Sequence, residues 1–183
     1  MTDAAPRIQA RGGSWPLRDE VFPSDLDAIK KLVAATGVFH DFEVDIAVEL
    51  VEERLRRGDP SGYHFLLADG NDGAGSELAG EAGVPAGYTC WGPIPCTQGS
   101  YDIYWIAVNP KLQGQGLGQA LMQETERRIV AAGGRRIYLE TSGRPDYLPT
   151  RRFYDRCGYE VVATIANFYA EGDDKVVYAK VLS

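Results

Sequence analysis

The sequence contains little cysteine and little histidine. Cys90, Cys96 and Cys157 are an odd number of cysteines without a Cys-x-x-Cys pair, and the 183 residues include 2 histidines. This spacing predicts neither a disulfide framework nor a zinc site. Because reduced cysteines are typical of the cytoplasm, we expect a cytoplasmic protein that needs no metal.

The sequence contains fewer basic than acidic residues. It has 19 lysines and arginines and 26 aspartates and glutamates, which gives a net charge of −7. Nucleic acids are bound by clustered lysine and arginine, so we expect no nucleic-acid partner. An acidic protein could instead attract cationic, amine-bearing acceptors. No stretch approaches the roughly 20 apolar residues of a membrane span, and the N-terminus lacks the apolar core of a signal peptide. We therefore expect no membrane partner and interpret residues 1–13 as a flexible tail.

The sequence does contain a strand, a glycine-rich turn and the start of a helix in direct succession, over residues 104–121. An apolar run ends at Asn109-Pro110, and the turn QGQGLG follows at residues 113–118. The unpaired amides of a helix's first turn point at an anion, and glycines let a ligand approach the backbone closely. The stretch therefore predicts a phosphate-binding turn. It is not a Walker loop, because no Lys-Ser/Thr pair closes it, and the third glycine of a dinucleotide fingerprint is replaced by Gln119.

Two motifs resemble one family. Gln113, Gly116 and Gly118 match the Gln-x-x-Gly-x-Gly signature of the acetyl-CoA-dependent N-acetyltransferases, the GNAT superfamily. The block RRFYDRCGYEVV at residues 151–162 resembles the family's later motif, a short helix that carries Phe-Tyr and ends at Gly-Tyr. The spacing between the motifs leaves room for one helix, one strand and a loop, which is the family order. The resemblance extends from about Leu17 to the C-terminus.

The resemblance implies one mixed α/β domain over residues 14–183. Its mostly antiparallel sheet would have about seven strands, a splayed parallel central pair and helices on both faces. Periodicity and capping residues predict helices at 24–37, 41–57 and 116–132 and a short one after Pro149. Strands are predicted at 15–22, 63–68, 85–91, 100–108, 135–141, 159–170 and 175–182, and a glycine-rich loop at 69–83.

The resemblance also implies a binding site for acetyl-CoA, used as a co-substrate. The turn's amides would hold the pyrophosphate of coenzyme A, and the preceding strand end would supply backbone groups for the pantetheine arm. The family often has Asn and Ala where this sequence has Tyr147 and Thr150, so Ser142 or Thr150 would replace the lost contact. The expected cofactor-binding residues are Ile106, Ala107, Val108, Gln113, Gly114, Gln115, Gly116, Leu117, Gly118, Gln119 and Ser142.

Two residues are candidates for proton transfer. Tyr154 matches the family's tyrosine that protonates the departing sulfur, although a packing role is the alternative. A phenol with a pKa of about 10 is protonated at neutral pH and suits that task. Asp102 is the candidate general base, with Glu140, Glu20 and Glu43 as rivals and a plain surface role as the alternative.

These features predict an N-acetyltransferase that acetylates a primary amine of a small molecule or a protein. A non-catalytic domain that binds CoA or an acyl-CoA shares the same motifs, and so does an acyltransferase that uses a longer acyl-CoA. The loop at residues 36–43, between the first two helices, is expected to border the acceptor site. The sequence leaves monomer and homodimer both open.

Overall fold

The computed structural model describes residues 6–70 and 85–182. Within these residues the chain forms 4 α-helices and 8 strands. The helices are α1 (Asp25–Ala35), α2 (Asp41–Arg57), α3 (Leu117–Ala131) and α4 (Leu148–Arg156). The strands are β1 (Arg7–Ala10), β2 (Gly13–Arg18), β3 (His64–Ala68), β4 (Gly87–Pro93), β5 (Ser100–Val108), β6 (Arg136–Ser142), β7 (Glu160–Ala170) and β8 (Asp173–Val181).

The strands follow one another in the sheet order β1-β2-β3-β4-β5-β6-β8-β7. Neighbouring strands are mostly antiparallel, while β5 and β6 run parallel, as the crossover through α3 requires. The predicted mixed α/β class is therefore confirmed. The chain divides into two compact units, residues 1–91 with 105–125 and residues 92–104 with 126–183, which are described in turn.

The first unit begins with a hairpin where the sequence had predicted a flexible tail. β1 pairs antiparallel with β2, and Ile8 lies opposite Trp15. Both side chains are buried, together with Leu17. Burial of one apolar face stabilises the pair, so the tail prediction is wrong for residues 7–13. The predicted strand 15–22 ends earlier, at Arg18, whose guanidinium pairs with Asp25 and Asp69.

The core of the first unit lies between α1, α2 and one face of the strands. It contains Ile29, Leu32 and Val33 of α1, Val44, Ala47 and Val51 of α2, and the strand residues Phe65, Leu67, Tyr88, Cys90 and Ala107. The other face of β4 meets α3, because the hydroxyls of Thr89 and Thr125 are 2.7 Å apart. The strands of this unit are therefore covered by helices on both faces.

Helix α3 buries one apolar face. Leu117, Leu121, Met122, Thr125 and Ile129 are buried, whereas Val130 is 43% exposed. Ala120 is only partly buried. The buried stripe of α3 therefore includes Met122 and excludes Val130. Helix α2 covers the predicted range, Asp41–Arg57.

In the second unit, β6 pairs in parallel with the first residues of β5 and antiparallel with β8, and β8 pairs with β7. Side chains alternate between the faces of these strands. Ile137 and Leu139 of β6 and Tyr178 of β8 are buried, and the ring of Tyr154 in α4 lies 5.5 Å from that of Tyr178. The register puts Asp102, Tyr138 and Glu140 on the opposite face.

The predicted loop at residues 69–83 lies outside the described residues except for Asp69 and Gly70. Among the described helices, none is both long and apolar enough to cross a membrane. Within residues 6–70 and 85–182, no three histidine, cysteine, aspartate or glutamate side chains are grouped so that they could hold a metal ion.

Candidate functional site

The glycine-rich turn of the first unit links the end of β5 to α3. The Asn109 amide donates to the Ala86 carbonyl oxygen at 2.8 Å, and the Asn109 side chain accepts from the Lys111 amide at 3.0 Å. A short 3₁₀ turn over Pro110–Leu112 follows, and α3 starts at Leu117. The Gln113 side-chain amide donates to the Val108 carbonyl oxygen at 3.4 Å, which joins the turn to the strand it follows.

The backbone amides of the turn form an unbroken donor surface. Among the described residues, the N–H groups of residues 114–119 have no hydrogen-bond acceptor, and the first helical bond runs from the Ala120 amide to the Gly116 carbonyl oxygen at 3.0 Å. Free amides at the start of a helix, together with the helix dipole, favour an anion at that position. The turn thus has the properties of a phosphate site.

Two glycines shape this surface. Gly114 has a φ of +76° and Gly116 a φ of +88°, both in the left-handed region that other residues rarely adopt. A β-carbon at Gly114 would have nothing within 4 Å, so the backbone here is open to a ligand. Gly118 lies in the first turn of α3.

The strand end beside the turn presents main-chain groups rather than side chains. Ala107 is buried in the core against α1 and α2, so only its backbone can serve a ligand. A β-carbon on Gly87 would lie 2.9 Å from the Ala107 carbonyl oxygen, which shows how closely β4 approaches β5 there. Ile106 and Val108, on the other face of β5, are partly exposed.

In the second unit, Tyr154 lies in an aromatic cluster. Its ring centroid is 5.6 Å from that of Phe153, 6.4 Å from that of Tyr159 and 5.5 Å from that of Tyr178. Burial raises the pKa of Tyr154 well above its ordinary value, and Cys157 and Tyr178 add to the effect. The phenol therefore stays protonated through the neutral range, as a proton donor must, while the same shift makes it a weaker acid.

Asp102 is half-buried in β5. Its side chain lies on the face of the strands opposite the one that carries Tyr178 and packs against Tyr154. Burial, followed by the nearby Glu140 carboxylate, raises the pKa of Asp102 to about 6, while Lys175 opposes the shift. Glu140 is itself paired, because the Lys175 ammonium lies 2.6 Å from its Oε2. Lys175 also packs on Phe168, with its Nζ 3.8 Å from the ring centroid. Asp102 has no hydrogen bond or ion pair with any described residue.

The other acids that were considered as the general base have different surroundings. Glu43 caps α2, because its Oε2 accepts from the His40 amide at 2.8 Å. Glu20 is exposed after the end of β2. Both belong to the first unit, whereas Asp102 and Glu140 belong to the second.

Ser142 is buried and already engaged. Its hydroxyl donates to Asp173 Oδ1 and accepts from the Arg144 amide at 3.1 Å. Arg151 donates to the carbonyl oxygens of Ser142 and Arg144 at 2.7 and 2.9 Å. A cofactor contact through the Ser142 hydroxyl would have to compete with these bonds and stays a prediction.

The comparisons with known proteins agree with this geometry. The family model for the acetyltransferase (GNAT) family matches residues 38–159. A solved structure of a candidate GNAT acetyltransferase from Desulfovibrio desulfuricans is 42% identical, covers 91% of this chain and 98% of its own, and superposes with a TM-score of 0.83. The chain therefore belongs to the acetyltransferase (GNAT) family. No curated protein matches it in sequence.

More distant structures share the fold. An aminoglycoside 6′-N-acetyltransferase complexed with coenzyme A is 16% identical, with a TM-score of 0.65 over 91% of this chain and 97% of its own. The ribosomal-protein-S18-alanine N-acetyltransferase from Escherichia coli is 18% identical, with a TM-score of 0.67 over 91% of this chain and 93% of its own.

Proposed function

We propose that the protein is an N-acetyltransferase that transfers the acetyl group of acetyl-CoA to a primary amine. The observation that carries the proposal is the row of free amides over residues 114–119, in a chain that belongs to an acetyltransferase family. A diphosphate needs several donors, and this turn offers them. Coenzyme A fits such a surface.

The residues that would hold coenzyme A lie in the first unit. The amides from Gly114 to Gln119 would bind the pyrophosphate, while Gln113 fixes the turn against Val108. The backbone of Ile106–Val108 would accept and donate hydrogen bonds along the pantetheine arm, because peptide groups match its amides. When bound, acetyl-CoA supplies an activated acetyl group as a thioester.

Two proton transfers complete the reaction. The acceptor's ammonium must lose a proton before nitrogen can form its bond to the acetyl carbon, and the sulfur must gain a proton as the carbon–sulfur bond breaks. Asp102 would take the first proton through water rather than directly, because its side chain lies on the face of the strands opposite Tyr154, and a pKa of about 6 leaves it mostly ionised at pH 7. Tyr154 would donate the second. Glu140 is less suited to the base role because Lys175 already pairs with it.

The acceptor is a small-molecule or protein amine. Relatives of the same fold are named for both kinds, an aminoglycoside and the alanine of a ribosomal protein. The function is tested by thiol release from acetyl-CoA against a panel of amines, with binding of CoA measured separately. CoA binding without release against any amine would indicate a binding domain. Release from longer acyl-CoAs alone would indicate a different donor.

Asp102→Asn should lower turnover most near neutral pH, where the acceptor amine is protonated and depends on a base. The loss should shrink toward pH 10, where the amine loses its proton to solvent, with an effect at pH 7 of about 10²-fold or more. In the wild type, kcat/KM should fall as the pH drops below about 6, since Asp102 then becomes protonated. Full pH–rate profiles of both proteins give the measurement.

Glu140→Gln is the matched control for this prediction, because it neutralises the neighbouring acid on the same face. It removes the anion that helps raise the pKa of Asp102, so the acidic limb of the profile should move to lower pH while the turnover at pH 8 is kept. An Asp102→Asn profile equal to the wild type would transfer the base role to one of the rival acids.

A further inference from the structure

The turn of the N-terminal hairpin touches the glycine-rich turn. The Gly12 amide donates to the Gln115 carbonyl oxygen at 3.3 Å. A β-carbon on Gly116 would lie 3.6 Å from the Ala10 Cβ and 3.7 Å from the Arg11 nitrogen. These residues all belong to the first unit. The hairpin therefore forms part of the wall around the candidate phosphate site.

Gly12 is required for this approach. A β-carbon on Gly12 would lie 1.9 Å from Gln115 Oε1 and 2.7 Å from Gln115 Cβ, closer than real β-carbons come. Only a residue without a side chain lets the two turns come together here without displacing Gln115. The hydrogen bond from the Gly12 amide and the absence of a side chain on Gly12 together keep the neighbouring Arg11 beside the glycine-rich turn.

Arg11 is a cation with no partner among the residues that the structure describes. It is exposed, and among residues 6–70 and 85–182 it has no ion pair or hydrogen bond. Arg7, on the same hairpin, differs in this respect, because its guanidinium donates to Ser14 Oγ at 2.8 Å and to the Ser14 carbonyl oxygen at 2.7 Å. Because the Arg11 backbone lies against the glycine-rich turn, its exposed side chain is long enough to reach a phosphate held by the turn's amides, which a guanidinium can bind with two parallel hydrogen bonds.

We propose that Arg11 is a phosphate ligand for coenzyme A, supplied by the N-terminal hairpin to the turn over residues 113–119. The inference rests on the proposed function, because it takes coenzyme A as the ligand of that turn. It also goes beyond the family match, which starts at residue 38, well after the hairpin. The phosphate in question is either the pyrophosphate or the 3′-phosphate of coenzyme A, and the experiment distinguishes them.

The test is calorimetric titration of the full chain with CoA and with dephospho-CoA, which lacks the 3′-phosphate. Arg11→Gln should weaken CoA binding about three- to tenfold at low salt, as expected for one exposed charge-assisted contact. The difference should shrink at about 0.5 M salt, where the screening length falls to a few ångströms. An equal loss with both ligands assigns Arg11 to the pyrophosphate, and a loss with CoA alone assigns it to the 3′-phosphate.

Arg7→Gln is the matched control, since it removes the same charge from the same hairpin. It should change the CoA affinity about twofold or less, because Arg7 is bound to Ser14. Equal effects of the two variants, or no effect of Arg11→Gln while the wild type binds CoA, would overturn the role of Arg11 and leave the proposed function standing. A wild type that binds no CoA would overturn both. The melting temperature of Arg11→Gln should equal the wild-type value, because the side chain is exposed.

Discussion

Gly116→Glu is expected to abolish CoA binding, with a loss of affinity of more than about 100-fold, since like charges brought together at a binding surface cost several kcal/mol. The new carboxylate would lie among the free amides at the start of α3 and would accept the hydrogen bonds that a phosphate needs. It would also repel the phosphate directly. Calorimetric titration with CoA measures the effect, and an unchanged affinity would remove this turn from the proposed site.

Gly133→Glu separates this effect from backbone strain. Gly133 lies just after the other end of the same helix, with a φ of +83° against +88° for Gly116. A β-carbon on Gly133 would have nothing within 4 Å, and one on Gly116 would make only ordinary van der Waals contact with Ala10 and Arg11. Both variants therefore introduce the same charge at the same kind of strained position, at a cost of about 1–3 kcal/mol in stability. Only Gly116→Glu should lose CoA binding. A similar loss in both would mean that strain in the protein, rather than the carboxylate at the turn, is responsible.

The parts of the fold that the sequence predicts well are those with local signals. Helix α2 runs over the predicted range because Glu43 caps its first turn and Gly58 follows its last residue with a φ of +62°. Strand β5 also runs over the predicted range, since Asn109-Pro110 ends it. The glycine-rich turn could also be predicted from a local signal, because its glycines and the start of α3 are contiguous in the chain.

The hairpin could not be predicted in the same way. β1 has 4 residues, and of these only Ile8 is buried. A strand that short shows almost no alternation, and its pairing with β2 depends on the opposite strand's Trp15. With the hairpin predicted as a tail, Arg11 carried no functional signal. The contact between Gly12 and Gln115 joins residues far apart in sequence and appears only once both turns are folded.

The surroundings of Asp102, the candidate base, could not be predicted either, because they also depend on residues that are far apart in the sequence. Glu140 and Lys175 meet because β6 and β8 pair with Glu140 opposite Val177 and Ser142 opposite Lys175. A shift by one residue would place these side chains on opposite faces. The sequence names Asp102 and its rivals as acids, but it does not contain the register that pairs Glu140 and leaves Asp102 free.

Tyr154→Phe is expected to lower the single-turnover rate of acetyl transfer by about 10²–10⁴-fold, the usual contribution of a general acid. The ring and its packing against Phe153 and Tyr178 are kept, and only the proton donor is lost. CoA affinity should change little, because the phenol would act on charge that develops during transfer rather than on the bound ground state. Stability should also change little, since the Tyr154 hydroxyl has no hydrogen bond with any described residue.

Tyr178→Phe is the control that distinguishes chemistry from packing. Tyr178 lies in the same aromatic cluster and is as deeply buried, but its hydroxyl bonds to Asp155. This variant should lose about 1 kcal/mol of stability and keep the wild-type rate per folded molecule. Melting temperature, CoA affinity and single-turnover rate are measured on both variants. If Tyr154 only packs, its phenylalanine variant will transfer acetyl at the wild-type rate, and another group must then protonate the sulfur. If the protein only binds CoA, neither variant nor the wild type will release thiol.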